Sequence, residues 1–298
     1  MQPVLSLQAI SKRYGNIQAL NSISFDVPEG SVFGILGPNG SGKTTMLGII
    51  LDILRADAGS FSWFGTSPSA ESRKKIGALL ETPNFYHYLS ATDNLNITQA
   101  ISGRGSTPEI ESVLETVNLA QRKYSKFSTY SLGMKQRLAI AGTLLGNPNV
   151  LVFDEPTNGL DPVGIAEIRQ LIKDLAKQGK TIIMASHLLD EVEKVCTHVA
   201  ILKKGVLLTA GAVDEVLTNE DIVEISASDL TGLEIIIKEF NGVTNVKQDG
   251  NHLHVFFPIN TANLEEINRY CFSKDITLSQ LTLKRKSLES KFFELTNN

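Results

Sequence analysis

The fold of this chain is decided by residues 32 to 50, which read VFGILGPNGSGKTTMLGII. An apolar run from Val32 to Leu36 leads into a glycine-rich loop, and helical spacing of apolar residues follows it. The loop consists of Gly37, Pro38, Asn39, Gly40, Ser41, Gly42, Lys43 and Thr44. This G-x-x-x-x-G-K-[ST] spacing between a strand and a helix is typical of a phosphate-binding loop.

Each residue type in the loop suits phosphate chemistry. Glycines let backbone N–H groups converge on an anion, and the following helix presents the positive end of its dipole. Lys43 supplies a point charge for β- and γ-phosphates, and the Thr44 hydroxyl can bind Mg²⁺. We therefore predict that the loop binds the phosphates of a nucleotide together with Mg²⁺. The alternative, a chance glycine turn, leaves the second motif unexplained.

That second motif is a pair of carboxylates after another buried strand. Residues 150 to 153 are apolar, and Asp154 and Glu155 follow them. In α/β folds the carboxyl ends of the strands form the edge at which ligands bind. Asp154 is suited to holding Mg²⁺ through a water, and Glu155 to accepting a proton from an attacking water. The alternative is a solvated acidic turn.

The bulk composition indicates a two-domain globular protein. The length of 298 residues allows one large α/β domain and a smaller one. A formal charge of −4 gives no reason to expect a nucleic-acid partner. The apolar runs are too short to span a bilayer, and the first residues lack the features of a secretory signal, so we expect a cytoplasmic location. Cys196 and Cys271 are interpreted as packing residues.

Periodicity predicts the layers around the phosphate loop. Residues 4–9 and 21–27 alternate in strand fashion, which predicts an N-terminal antiparallel β-layer. Residues 82–130 are predicted to form a helical insertion, with a capping box from Ser90 to Asp93 and a helix start at Thr107. From Ser131 to Gly205, helices and buried strands alternate, which predicts a parallel sheet.

Residues 218–298 are predicted to form a small α+β domain. Strands are expected at 222–226, 233–240 and 252–257, a hairpin turn at Asp249-Gly250, and a helix at 264–272. The predicted fold class is therefore α/β: a phosphate-loop NTPase core with an N-terminal antiparallel β-layer, a helical insertion and a small C-terminal α+β accessory domain. The predicted boundaries are 3–217 and 218–298.

The ordered motifs resemble those of the ATP-binding-cassette (ABC) ATPases over residues 3–217. The resemblance rests on the phosphate loop, Ser131-Leu132-Gly133-Met134-Lys135-Gln136, the Asp154-Glu155 strand end, and Ser186-His187. It implies that the bound nucleotide is ATP, and it implies ATP hydrolysis and a head-to-tail dimer with two ATP molecules at the interface. A second copy of this chain is the favoured partner because the set of site residues is complete, and a paralogue stays open.

The resemblance also implies individual roles. Tyr14 would stack on adenine, Thr45 would join the loop in binding nucleotide, and His187 would contact the γ-phosphate and orient Glu155 and water. Ser131, Leu132, Gly133 and Met134 would address the ATP of the opposite subunit, and Asp161 would lie in the loop that links the two sites. From the residues alone, the structural role is the more common one, both for an isolated tyrosine such as Tyr14 and for a lone histidine such as His187.

Two positions depart from the usual family pattern. Glu81 stands where a glutamine usually coordinates Mg²⁺, and a carboxylate there adds negative charge beside the phosphates. In the signature, Leu132 replaces a glycine and Met134 a glutamine. Both departures resemble the drug-export branch typified by bacitracin resistance and lantibiotic immunity.

The resemblance implies a separate transmembrane permease as partner, with this chain peripheral on the inner face of the membrane. The aromatic residues 85–88 are expected at that interface, and the segment 287–295 resembles the terminal helix of exporter-type ATPases. An importer subunit, a soluble ABC ATPase acting on ribosomes or DNA, and a kinase or GTPase that shares only the phosphate loop are the alternatives. The transported molecule stays open.

Overall fold

The computed structural model describes residues 3–80, 83–217, 220–284, 288, 289, 291 and 292. The chain divides into two units, Met1–Ala212 and Val213–Asn298, so the division falls five residues before the predicted one. Among the residues that the structure describes, no helix has both the length and the apolar character needed to cross a bilayer. Of the predicted terminal helix, only residues 288, 289, 291 and 292 lie within the described residues.

The first unit contains the predicted antiparallel layer. It consists of β1 (Leu5–Tyr14), β2 (Ile17–Val27) and β4 (Ala58–Trp63), in the order β2-β1-β4. The alternating inward positions, among them Leu5, Leu7 and Ile23, are buried in the core. The tight β1–β2 turn carries Tyr14 at the end of β1, and this turn is the part of the layer that reaches the site.

A six-stranded sheet forms the centre of this unit. Its strands are β3 (Val32–Leu36), β5 (Ile76–Leu79), β6 (Val150–Asp154), β7 (Thr181–Ser186), β8 (His198–Lys203) and β9 (Val206–Ala212). The order is β5-β6-β7-β3-β8-β9, and all neighbours are parallel except β8 and β9. Every residue of β3, β6 and β7 is buried, as expected for a sheet covered on both faces.

Within the described residues, seven α-helices of the first unit connect these strands. They are α1 (Lys43–Ile50), α2 (Ala70–Lys74), α3 (Ala91–Ser102), α4 (Thr107–Thr116), α5 (Leu132–Leu144), α6 (Pro162–Lys177) and α7 (Leu189–Glu193). The predicted capping box of Ser90 and Asp93 is present at α3. The N-cap of α4 is Ser106, one residue before the predicted Thr107. The Ser106 N–H donates to the Glu109 carboxylate, which completes the cap.

One glycine on β5 sets how closely helix α5 approaches the sheet. A Cβ at Gly77 would lie 2.2 Å from the backbone oxygen of Thr143 in α5, a contact that neither backbone can relieve by a rotamer change. We expect Gly77→Ala to lower the free energy of unfolding by about 1 to 3 kcal/mol or more, measured by urea denaturation.

Gly142 in the same helix provides the matched control. A Cβ there would meet no atom closer than 3.7 Å. Gly142→Ala should therefore keep or raise the stability, since alanine is the better helix former by about 1 kcal/mol. Equal urea midpoints for the two variants would show that the β5–α5 approach is not constrained as described.

The second unit is a four-stranded antiparallel sheet with helices on one face. It contains β10 (Glu220–Ala227), β11 (Asn245–Asp249), β12 (His252–Pro258) and β13 (Leu278–Lys284), in the order β11-β12-β10-β13. Its helices are α8 (Val213–Leu217), α9 (Leu230–Lys238) and α10 (Leu264–Ser273). The turn at Asp249-Gly250 joins β11 to β12 as predicted.

The strand predicted at residues 233–240 is wrong, because residues 233–238 belong to helix α9, which ends at Lys238. Three consecutive isoleucines suggest a strand by propensity. However, Asp229 caps the helix by accepting the Gly232 N–H, and Leu233 and Ile237 are buried four residues apart. The helical spacing of the buried side chains therefore prevails over β-propensity.

Candidate nucleotide site

The glycine-rich loop joins β3 to α1 in a conformation that requires glycine. Gly40 and Gly42 have positive φ angles of 78° and 105°. A Cβ at Gly42 would also lie 2.5 Å from the backbone oxygen of Ala19. Helix α1 begins directly after it, with Gly42 at the N-cap and no side-chain cap. The N-terminal N–H groups of α1 are thus left for a ligand, as in helix-terminal anion sites.

Lys43 is buried inside this loop, with only 5% of its surface exposed. Its ammonium donates to the backbone oxygens of Gly37, at 2.8 Å, and of Pro38, at 3.3 Å. The same nitrogen lies 3.4 Å from Oε1 of Glu155. A positive charge is therefore fixed between the loop and the end of β6.

Thr44 and Asp154 meet although 110 residues separate them. The Thr44 hydroxyl donates to Oδ2 of Asp154 at 2.8 Å. Asp154 ends β6 and is 4% exposed. One hydroxyl and one carboxylate side by side are the hard oxygen donors that Mg²⁺ binds together with phosphate oxygens and waters. The two residues present therefore fit a magnesium ion.

Glu155 and His187 form the second polar pair of the site. Oε2 of Glu155 lies 2.8 Å from Nδ1 of His187. Strands β6 and β7 are neighbours, so the residues that follow them emerge side by side at the carboxyl edge. Glu155 has a left-handed φ of 48°, and its N–H donates to Ala185. Such strain in a non-glycine residue concentrates at functional sites.

A cleft of about 500 Å³ opens over the phosphate loop and Glu155, and neither Asp154 nor His187 is among the described residues that line it. The residues that line it are Tyr14, Ile17, Gln18, Ala19, Asn39, Gly40, Gly42, Lys43, Thr44, Thr45, Glu155 and Lys204. Tyr14 is 46% exposed beside the phosphate loop. The site residues predicted from the sequence do not include Ile17, Gln18, Ala19 and Lys204. The first three could have been found because they lie close to Tyr14 in the sequence, across the β1–β2 turn. No sequence feature indicates Lys204.

The signature residues lie elsewhere on the same unit. Ser131 caps α5, and its hydroxyl accepts the Met134 N–H at 3.3 Å. Leu132 is 48% exposed, and a Cβ on Gly133 would meet no atom within 4 Å. Ser131 to Met134 are not among the described residues that line the cleft. They form an open surface, with the N-terminus of α5 directed into it.

Asp161 lies at the start of the next helix and next to that surface. It caps α6 by accepting the Gly164 N–H at 2.8 Å. The preceding loop contacts the signature: a Cβ at Gly159 would lie 3.3 Å from Cδ2 of Leu132. The Leu132 side chain is therefore directed toward this loop, which leaves the Ser131 end of α5 uncovered. Glu81 lies outside the described residues.

Comparisons with known proteins agree with this arrangement. A family model described as ABC transporter matches residues 20–158. The bacitracin transport ATP-binding protein BcrA of Enterococcus faecalis is 33% identical over 301 residues, which cover 99% of this chain and 97% of BcrA. The lantibiotic transport ATP-binding protein SrtF of Streptococcus pyogenes is 37% identical over 205 residues, 69% of this chain and 89% of SrtF.

Solved structures give the same result. The chain superimposes on cbiO1 of Clostridium perfringens, described as part of the ABC transporter complex cbiONQ, with a TM-score of 0.66 and 30% identity. That match covers 72% of this chain and 91% of cbiO1. The fold, the phosphate loop and the full-length relatives together establish that this chain belongs to the ABC transporter family as an ATP-binding subunit with ATPase activity.

Proposed function

We propose that this chain powers export through a separate membrane permease, as one half of a Mg²⁺-dependent ATPase dimer. The observation that carries the proposal is the division of the predicted site between two surfaces. One surface is the cleft with Lys43, Thr44 and Glu155, and the other is the open signature with Ser131. Each surface holds only part of the predicted catalytic set.

Within the cleft, each polar group has a distinct chemical role. Lys43 balances the charge of the β- and γ-phosphates, and the aromatic ring of Tyr14 provides a stacking face for adenine. Bound Mg²⁺ would neutralise phosphate charge, with Thr44 and Asp154 as its protein ligands. Glu155 accepts the proton of the attacking water, while His187 at 2.8 Å holds that carboxylate in place.

The signature surface requires a partner subunit. The Ser131 hydroxyl and the positive end of α5 suit a γ-phosphate. Since they do not line the cleft of their own subunit, we infer that they close over ATP bound to a second copy of the chain. Asp161, beside Leu132 through the Gly159 loop, would then lie at the same interface. Closure on ATP and opening after hydrolysis supply the movement that a transporter needs.

The permease contact is proposed at the start of the helical insertion. Tyr86 and Tyr88 are 50% and 68% exposed, and the centroids of their rings lie 6.0 Å apart. The Tyr86 backbone is fixed, because buried Asn94 accepts the Tyr86 N–H and donates to the Tyr86 oxygen. Exposed aromatic side chains on a rigid backbone are typical anchors of protein interfaces.

The proposed direction of transport rests on analogy with the relatives. BcrA and SrtF are named for bacitracin and lantibiotic transport. We propose by analogy that this chain serves export of a peptide antibiotic or a related molecule, at the inner face of the membrane. Residues 213–298, the separate second unit, are proposed to be an accessory domain of the ATPase.

Affinity purification from detergent-solubilised membranes tests this proposal. The tagged chain should carry with it a multi-span protein in equal amount, identified by mass spectrometry. Replacing both Tyr86 and Tyr88 with alanine should reduce recovery of that protein at least about tenfold, because interface aromatics contribute upwards of about 2 kcal/mol. The ATPase activity of the free chain should remain.

Tyr124 is the matched control for this surface. It is another tyrosine of the helical insertion, is 76% exposed, and lies away from residues 85–88 in sequence. Tyr124→Ala should leave recovery of the permease unchanged. Recovery of soluble partners alone, with and without ATP, would overturn the transport proposal.

A further inference from the structure

The position of His187 depends on the short helix that follows it. Helix α7 begins at Leu189, two residues after His187. The Leu188 N–H donates to Oγ of Ser186 at 3.0 Å, so the turn between β7 and α7 is tight. The imidazole is 36% exposed, and its contact with Glu155 is the one that places the ring in the site. A shift of α7 therefore moves His187 relative to Glu155.

One side of α7 rests directly on the central sheet. Val192 is fully buried and Cys196, just beyond the helix, is 8% exposed. A Cβ at Gly34 of β3 would lie 2.6 Å from Cγ1 of Val192 and 3.0 Å from Sγ of Cys196. Burial raises the pKa of the Cys196 thiol, so it stays neutral and serves as a packing group. These contacts set the distance between α7 and the sheet. Another side of α7 is held by a different contact.

An ion pair with α6 holds that other side. Oε2 of Glu191 lies 3.2 Å from Nε of Arg169, and the two side chains are 14% and 25% exposed. Both atoms are inaccessible to solvent, and among the described residues neither has a hydrogen-bond partner. Lys194 adds a more distant charge, 3.9 Å from Oε1 of Glu191. Neutralising one partner of a buried pair leaves the other charge uncompensated, so the helices would shift.

Helix α6 is packed against the core and therefore holds Arg169 in a defined position. It has 16 residues, and Ile168 and Ile172, on either side of Arg169 in sequence, are buried against the core. Its N-terminus is capped by Asp161. A rigid helix on one side and the sheet on the other therefore define where α7 can lie.

We propose that the Arg169–Glu191 ion pair positions the α7 helix so that His187 is held against Glu155. Arg169 and Glu191 are positioning residues, since they act through His187. The inference rests on the proposed function, in which Glu155 and His187 serve hydrolysis.

The expected effect is on turnover. Glu191→Gln and Arg169→Gln in the full chain should each lower kcat for ATP by about tenfold or more, because a displacement near 1 Å in a catalytic group can cost that much. The KM for ATP should change little, since the phosphate loop is untouched, whereas the thermal midpoint should fall, because the remaining charge of the pair loses its partner. Exchanging the charges, with Arg169→Glu and Glu191→Arg together, should restore part of kcat.

Asp190→Asn is the matched control. It removes a carboxylate from the same helix, but Asp190 is 72% exposed and pairs with Lys194, the residue that follows α7. Its kcat should equal that of the unmodified chain. If Glu191→Gln fails to fold, Arg169→Gln, at the more exposed partner, provides the same test.

A double-mutant cycle separates positioning from a general structural effect. On a His187→Ala background, Glu191→Gln should cause no further loss of kcat, because its route to the reaction is already removed. Multiplied losses would overturn the inference, as would full activity of both single variants while His187→Ala is slow. Unchanged turnover in His187→Ala itself would instead overturn the proposed role of His187, and the inference with it.

Discussion

Glu155→Gln should lower the rate of ATP hydrolysis by about 10²- to 10⁴-fold, the range over which general-base catalysis contributes. Glutamine keeps the size of the side chain but cannot take up the proton of the attacking water. Lys43 and the Thr44–Asp154 pair are unaltered, so ATP should still bind. The ATP-closed dimer should therefore accumulate instead of opening after hydrolysis.

Two measurements check this result together. Phosphate release gives the rate, and light scattering with Mg²⁺ and ATP should show the mass of a dimer. Glu115→Gln, an exposed glutamate on α4, is the control and should retain both normal turnover and a transient dimer. A Glu155→Gln chain that stays monomeric with ATP would contradict the dimer, and one that hydrolyses ATP normally would contradict the role of Glu155.

Lys43→Ala should strongly weaken nucleotide binding. The variant loses the ammonium that lies between the loop oxygens and Glu155. A hydrogen bond to a charged group contributes about 1.5 to 3 kcal/mol, so losing even one such bond to phosphate should weaken ATP binding by about 10- to 100-fold. Turnover should fall further, because the charge that develops on the transferred phosphoryl group also loses its partner.

Calorimetric titration with ATP and Mg²⁺ measures the affinity directly. Lys204→Ala is the comparison, since Lys204 lines the same cleft but is exposed and lies outside the loop. It should change the affinity much less than Lys43→Ala. Equal losses for the two lysines would mean that general positive charge in the cleft, and not the loop lysine, binds the phosphates.

Much of the architecture follows from local sequence rules. The strand from Val32 to Leu36, the loop after it and the capping box at Ser90 appear in the structure as predicted. In these segments, apolar periodicity, glycine and capping residues all favour the same conformation. Such agreement between local preferences makes the structure of a segment predictable from its sequence.

The errors occur where local preferences disagree. Residues 233–240 carry a strand-favouring run, but packing of Leu233 and Ile237 on the second sheet makes residues 233–238 helical. Strand β13 was not predicted. It forms by pairing with β10, which lies more than 50 residues earlier in the chain. Pairing between distant segments leaves little signal in either segment alone.

The sequence alone indicates the chemistry of the site: the loop from Gly37 to Thr44 and the carboxylates Asp154 and Glu155 are recognisable because phosphate binding demands these residue types at these spacings. Which groups meet follows only from the tertiary structure. It brings Thr44 to Asp154 and His187 to Glu155, and it separates Ser131 from the cleft. The physical reason is that strand order in the sheet, which is fixed by packing of the whole core, sets the neighbours at its carboxyl edge.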